Sequence, residues 1–571
     1  MQLKLTVITL TVALSTTLSK AATVQSSSCS SDSSRAAAVK ASFRSSFEDY
    51  LQYARGSDEL LPISKKGSGG FGNWGATYVD ALTTAHVMGF DDIVKDGITF
   101  TKSVDFNHTS QTPISLFETN IRYLASCLSL YELTGKSDKG LIKQAKTIGD
   151  HLLAGWVGDN AIPYNSLVSW NDFGAPDTSN DAIIAEGGTL ILEFDRLSKY
   201  TGDSTYLEHA AKSMKAIVDS VAVLPGLYGQ GISPKTNQAT NDYVTWGGGS
   251  DSFFEYLIKY GQLIGSTDTY IPTWVNSVKS SVKNLITHPA GGYTGPNLTH
   301  MADYSPSNGG KIPRFSHLGC FVGGNWILGG RLLTNKDTVN YGLALADSCI
   351  GTYTKSATGI GPESYVFKTE SGGTNGVTIH NEAFYDKNGF DYDVVDYVLR
   401  PEVLESVFYA YRATGDKRWQ DLAWTAFNSI KKYCQAPAAL AAIENVTDTN
   451  TKQIDNSQSF LYAELYKYLF LIFDDPEHIS LDKYVFNTEA HPFEVEKPNA
   501  DYSAASFGSL PSPERSPTST AQKTASQVPK PTYSGVPGLV QKVFNSLGLR
   551  DHRARREDLE TRAQKLRRVR L

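Results

Sequence analysis

The 571-residue chain lacks several features that would place it at once. It has no basic excess: 53 Lys and Arg stand against 59 Asp and Glu, a formal net charge of -6, so nothing suggests a nucleic-acid partner. Beyond the N-terminal leader, no run approaches the roughly 20 apolar residues that a membrane-spanning helix needs. No two His at i, i+4 flank a Glu as in zinc hydrolases, and there is no phosphate loop or nucleophile elbow. Five cysteines in a chain this long leave stability to a large apolar core, not to disulfide staples.

What is present divides the chain into five parts. Residues 1–22 read as a secretory signal, with Lys4, a largely apolar or small stretch from Leu5 to Leu18, and a small-x-small site at Ser19-Lys20-Ala21. Residues 23–35 are Ser-rich and expected to be disordered; 36–494 read as one helical domain. Residues 495–541 read as a disordered Pro- and Ser-rich linker, and 542–571 as a basic tail able to form an amphipathic helix. Sequons at Asn107, Asn297 and Asn445 agree with passage through the secretory pathway. The expectation is a monomer in that lumen or secreted, without a transmembrane segment. Cys320 and Cys349 flank an apparent helical hairpin and are expected to pair. Cys127 and Cys434 are expected to be buried thiols, and Cys29 a free or intermolecular one.

A recurring signal sets the fold class. Thr134-Gly135, Thr201-Gly202 and Thr414-Gly415 each close a helical pattern and precede an Asp- or Lys-bearing loop. The first two lie 67 residues apart and the third 213 further on, close to three more such steps. A step of that length holds two helices and two loops, so the domain accommodates about seven helical hairpins. The predicted fold is all-α, an α/α toroid, with an open solenoid as the alternative. Strand-like patches at 359–368 and 378–390 are expected to form small hairpins at one end.

Acids stand at helix starts or in loops, beside glycine or aromatic residues. Glu118 and Arg122 share a helix face among apolar neighbours. Asp251 follows Gly247-Gly248-Gly249, with Glu255 one turn further on. Glu363 lies in a turn, and Glu402 follows Arg400-Pro401 at a helix mouth. Phe486 to Pro492 adds a polar cluster near the end of the domain. Such carboxylates with aromatic surfaces suit glycoside hydrolysis, which needs one acid to protonate the leaving oxygen and one carboxylate to activate water or attack.

In this order these segments resemble the class I α-1,2-mannosidases, glycoside hydrolase family 47, from about Phe43 to Pro492. The likeness extends to Asp58-Glu59-Leu60, Asn73-Trp74-Gly75-Ala76, Val79-Asp80-Ala81-Leu82 and His317-Leu318 with Cys320-Phe321. The resemblance implies an (α/α)7 barrel and an inverting, calcium-dependent hydrolase that trims terminal α-1,2-linked mannose from high-mannose N-glycans. It assigns Glu118 as acid, Glu402 as base, Asp251 and Glu363 as further essential acids, and Thr488 as the Ca2+ ligand. Glu255, Glu405, Glu464 and Glu489 become supporting carboxylates, and Arg122 and Arg400 are expected to hold Glu118 and Glu402. An inverting pair should stand roughly 6.5–9.5 Å apart. Cys320 and Cys349 match a disulfide of secreted fungal members. The chain departs from the family at Gln458, where members often carry Glu, and at Gly249, where branch-specific members carry Arg. Two competing readings remain: a slow or inactive mannosidase-like glycan-binding or quality-control protein, and a different toroidal carbohydrate enzyme such as a lyase.

Overall fold

The recurring Thr-Gly pairs end helices by one mechanism. Thr134, Thr201 and Thr414 each donate through Oγ1 to the carbonyl four residues back, at 2.7 Å. The glycines that follow turn the chain with φ of 80°, 76° and 69°, a region that resists a Cβ. Asp138, Asp203 and Asp416 then accept from backbone N–H groups two residues on, at 2.9, 3.0 and 2.9 Å, and open the next helix.

The computed structural model describes residues 23–513 apart from Asn297 and Ser506. Fourteen barrel helices alternate along them: α1 (Ser33–Tyr53), α2 (Ala76–Val87), α3 (Asp91–Ser103), α4 (116–133), α5 (Lys139–Leu152), α6 (Ile191–Thr201), α7 (Thr205–Val218), α8 (Asp251–Ile264), α9 (Ile271–Asn284), α10 (Val322–Leu332), α11 (Lys336–Lys355), α12 (Glu402–Thr414), α13 (Lys417–Cys434) and α14 (461–473). The even-numbered helices are buried almost all round, as in α10 and α12, and each packs on the next until α14 meets α2. The odd-numbered helices keep an exposed polar stripe, as in α5 and α13, and form the outer layer. α1 packs on α14, so the two ends of the domain complete the last hairpin and close an (α/α)7 toroid. A return helix separates successive inner helices. All seven therefore run in one sense, and their partly positive N-termini gather at one end.

Short sheets dress the ends. β1 (Arg314–Ser316), β2 (Ser364–Val366) and β3 (Asp391–Val394) form an antiparallel sheet with β2 in the middle. β4 (Tyr484–Phe486) and β5 (Pro492–Glu494) make a hairpin that runs along α4. Glu494 pairs with Lys136 beyond that helix, Pro492 O accepts from Ser129 Oγ at 2.6 Å, and Glu489 reaches Arg122. The hairpin thus enters from the C-terminal end of the inner helices and carries its tip, 487–491, toward their N-termini.

Three expectations are corrected. Residues 23–35 are not a disordered segment. Val24 and Gln25 are buried, Ser26 N donates to Arg412 O at 2.7 Å, and α1 starts at Ser33 behind an Asp32 cap. The linker does not begin at 495: Tyr502 and Phe507 are buried, and Phe507 packs edge-on to Trp274 on α9. Residues 378–390 form a helix, Glu382–Asn388, not a hairpin, because Asn381 caps it and Gly389, at φ 77°, stops it. The signal segment and residues 514–571, including the tail, lie outside the described residues. Cys320 and Cys349 are joined, tying the start of α10 to α11, while Cys29, Cys127 and Cys434 are free. No described helix is long and apolar enough to cross a membrane.

Candidate active site

Six of the acids singled out in the sequence start or line inner helices. Glu118 lies in the first turn of α4, Asp251 and Glu402 are the first residues of α8 and α12, and Glu255, Glu405 and Glu464 follow within the first turns of α8, α12 and α14. Glu363 precedes β2, and the β4–β5 tip supplies Thr488 and Glu489. The topology therefore gathers them at one mouth of the ring. Glu118, Glu363 and Glu402 retain 11, 15 and 14 % of their side-chain surface, so each is still partly open to a ligand.

Arg122 organises one side. Its Nε and Nη2 donate to Glu118 Oε2 at 2.9 and 2.8 Å, and Nη1 donates to Ser459 Oγ at 3.0 Å, to Glu489 and, more distantly, to Asp80. The guanidinium lies over the Phe71 ring, 4.8 Å from its centroid. Burial alone would lower the Arg122 pKa, but Glu489, Glu118 and Asp80 raise it well above its ordinary value. A π-helical turn at Asn120–Leu124 sits under this cluster, a distortion that α-helices often carry at functional sites.

Glu402 is held differently from the expectation. Arg400 forks through Nε onto Glu363, at 2.8 and 2.7 Å, and it is His317 Nδ1 that lies 2.6 Å from Glu402 Oε2. Leu399, at φ 69°, turns the backbone just before Arg400. His317 Nε2 is 2.7 Å from Tyr353 OH. A carboxylate only accepts, so Nδ1–H donates to Glu402. Burial would raise the Glu402 pKa, but His317, with Arg400 further off, lowers it below the usual carboxylate value. Asp251 behaves oppositely: desolvation and the charges of Glu255 and Glu402 push it up to about 7, against its bond from Ser252 N–H and the pull of Arg400. Glu405 rises to about 8 through burial, partly offset by Lys259, whose ammonium is 2.5 Å from Glu255.

The model of the family described as Glycosyl hydrolase family 47 matches residues 42–495. The chain belongs to this family. It is 40% identical to the probable mannosyl-oligosaccharide α-1,2-mannosidase 1B of Aspergillus clavatus over 81% of this chain and 93% of that protein. It is 37% identical to the mannosyl-oligosaccharide α-1,2-mannosidase of Penicillium citrinum, over 81% and 93%. The solved α-1,2-mannosidase of Trichoderma reesei superposes with a TM-score of 0.77 at 35% identity, covering 82% of this chain and all of that one. Family membership makes the chain a glycoside hydrolase and agrees with the toroid described above.

Several residues around the candidate site were not assigned roles from the sequence. His317, Asp80 and Asp58 lay within quoted motifs, but nothing in one dimension says what they touch. Asp80 binds His491 Nε2 at 3.0 Å and Ser459 Oγ at 2.6 Å. Glu186 lies near Glu118, is pushed up to about 8 by burial, and accepts from Asn165 Nδ2 at 2.8 Å. Asn165 Oδ1 in turn accepts from Phe117 N at 2.8 Å at the start of α4. The Gly-Gly pair after Glu186 was its only sequence signal. Gln458 donates to Asn456 Oδ1 at 2.6 Å, and Asn456 donates to Glu59 at 3.2 Å. Gly249, at φ 91°, has Gln230 within 2.5 Å of where a Cβ would stand, so a side chain there would be strained and crowded.

The donors around Thr488 fit calcium better than a soft metal. Thr488 sits half-buried at the hairpin tip, with Tyr256 OH 3.2 Å from its N–H, and offers hydroxyl and carbonyl oxygens. Nearby, Glu464 and Glu489 are driven well above the carboxylate range by burial and by neighbouring acids, an excess of negative charge that a cation would relieve. Among the described residues no three His, Cys, Asp or Glu side chains converge as a metal cage. A hard cation held by few protein oxygens and completed by water suits such a place. Of the sequons, Asn107 is exposed, Asn445 is half-buried in a turn, and Asn297 lies outside the described residues.

Proposed function

We propose that the chain hydrolyses terminal α-1,2-linked mannose from high-mannose N-glycans with inversion, in the secretory lumen or outside the cell. The observation that carries the catalytic assignment is the unequal treatment of neighbouring acids: Glu402 is kept ionised by His317, while Asp251 is raised to about 7. Glu402 is then the base: it takes a proton from water as that water attacks C1. The bond to the leaving oxygen breaks, and that oxygen takes a proton from the acid on the other side of the sugar. The family resemblance gives that acid as Glu118. A second assignment, Asp251, is favoured by its raised pKa.

Glu255, Glu363, Glu405, Glu464 and Glu489 present acceptors for sugar hydroxyls, and Arg400 orients Glu363. Calcium, held by the Thr488 oxygens and by water, would supply a grip on hydroxyls of the mannose being cleaved. The related fungal enzymes named above support this substrate class.

Incubation with an oligomannose glycan, with and without a chelator, tests the reading. The expected result is mannose released as the β-anomer, abolished by chelation and restored by Ca2+, with Glu402→Gln binding glycan but turning over at least ~100-fold more slowly. Binding without release would support the glycan-binding alternative. An aryl mannoside with a good leaving group distinguishes the donors, because it restores the variant that lacks the true acid, Glu118→Gln or Asp251→Asn.

A further inference from the structure

The turn between strands 166–169 and 175–176 holds a ring in an unusual position. Asp172 and Phe173 both have φ of 59°, a left-handed conformation that non-glycine residues seldom adopt, and Phe173 is 58 % exposed. Its ring stacks on His151 at 4.6 Å, and His151 stacks on Trp170 at 4.7 Å, both of them buried. Trp170 packs on Trp74 at 4.9 Å, so the exposed ring is the outer step of an aromatic ladder rooted in the core.

The loop carrying the Asn107-His108-Thr109 sequon lies against this ladder. Trp170 Nε1 donates to Phe106 O at 2.7 Å and Trp74 Nε1 to His108 O at 2.9 Å. Thr109 N donates to Asn171 Oδ1 at 2.9 Å, and the Asn107 amide lies 3.5 Å from His151 Nε2. The sequon asparagine is therefore fixed beside the ring on which Phe173 rests.

We propose that Asn107 carries an N-linked glycan whose first N-acetylglucosamine packs on the exposed face of Phe173. Attachment uses a polyprenyl-diphosphate-linked oligosaccharide. Asn107 Nδ2 forms a bond to sugar C1, the C1–O bond to the diphosphate breaks with its electron pair, and the amide gives up one proton to a base on the transferase. The remaining N–H still serves the bond to Asp105 Oδ1, 3.1 Å away. The apolar C–H face of a pyranose would cover the Phe173 ring and remove exposed apolar surface from water. This inference is independent of the catalytic reading.

Peptide mapping of protein from a eukaryotic host reads occupancy at Asn107, and melting of Asn107→Gln, Phe173→Ala and the double variant reads the contact. The expected result is an occupied Asn107, a lowered Tm for each single variant, and a double variant no less stable than the worse single one. In protein made in a bacterium, Phe173→Ala should lose only the stack on His151 and lower Tm by less. An unmodified Asn107, additive losses, or the same Phe173→Ala loss in both hosts would overturn the proposal. So would a raised KM for a large glycan but not for a disaccharide, which would assign the ring to substrate.

Discussion

At the level of single side chains, the state of Glu402 depends on a residue 85 positions away in sequence, which explains why the acid was legible and its partner was not. Adjacency pointed to Arg400, yet the left-handed backbone at Leu399 precedes a guanidinium that forks onto Glu363. Arg122 was legible because helical spacing alone brings it to Glu118. Replacing His317 with Phe retains a ring against Tyr353 and Tyr397 but removes the donor. A hydrogen bond to a charged group contributes about 1.5–3 kcal/mol. The sign follows from the lowered Glu402 pKa: without His317 it rises, so the base is lost at a higher pH as pH falls. The acid limb of the kcat profile should move to higher pH, and an unmoved limb would mean that His317 does not set the charge on Glu402.

Among the elements, those whose ends are chemically written were readable, and those shaped by a distant partner were not. Thr-Gly followed within three residues by Asp marks helix ends through bonds made within a few residues, so the count of hairpins followed from the sequence. The Asn381 cap was equally local, yet 378–390 was read as a strand-like patch. Loop 70–76 shows the other case. Asp58 accepts from the N–H groups of Gly70, Phe71, Asn73, Trp74, Gly75 and Ala76, at 2.7–3.2 Å, and from Tyr123 OH at 2.9 Å. That carboxylate fixes both the start of α2 and the Phe71 ring against Arg122. Asp58→Ala would leave six backbone donors without their acceptor, and a buried unsatisfied donor costs ~1–3 kcal/mol. With water admitted to part of the loop, we expect a loss of roughly 3–5 kcal/mol in denaturant unfolding, with soluble protein also losing turnover as Arg122 is freed. A midpoint within error of the parent would show that the loop is organised by something else.

For the molecule as a whole, ring closure joins chain ends that lie more than 400 residues apart, and it explains the largest misreading of the sequence. Composition made 23–35 look disordered, because Ser-rich segments seldom bury enough surface to order themselves. The groove that receives this segment is assembled only when α12, α14 and the 474–482 loop come together. There Gln25 Oε1 accepts from Arg412 Nη1 at 2.5 Å and from Leu481 N at 3.0 Å, while Val24 N donates to Asp482 at 2.6 Å. Arg412 is fully buried, and its other acceptors are the carbonyls of Pro476, Ile479 and Leu471. Burial lowers its pKa to about 10, so it stays charged at neutral pH and needs every one of these oxygens. Deleting 23–31 while keeping the Asp32 cap would expose the groove and remove one acceptor from a buried cation. We expect a stability loss of about 2–4 kcal/mol and a lower Tm, with kcat of the folded protein unchanged because the catalytic mouth lies at the opposite ends of α12 and α14. Gln25→Ala alone should account for about half of that loss. Unchanged melting in both variants would show that the segment rests on the barrel without helping to close it.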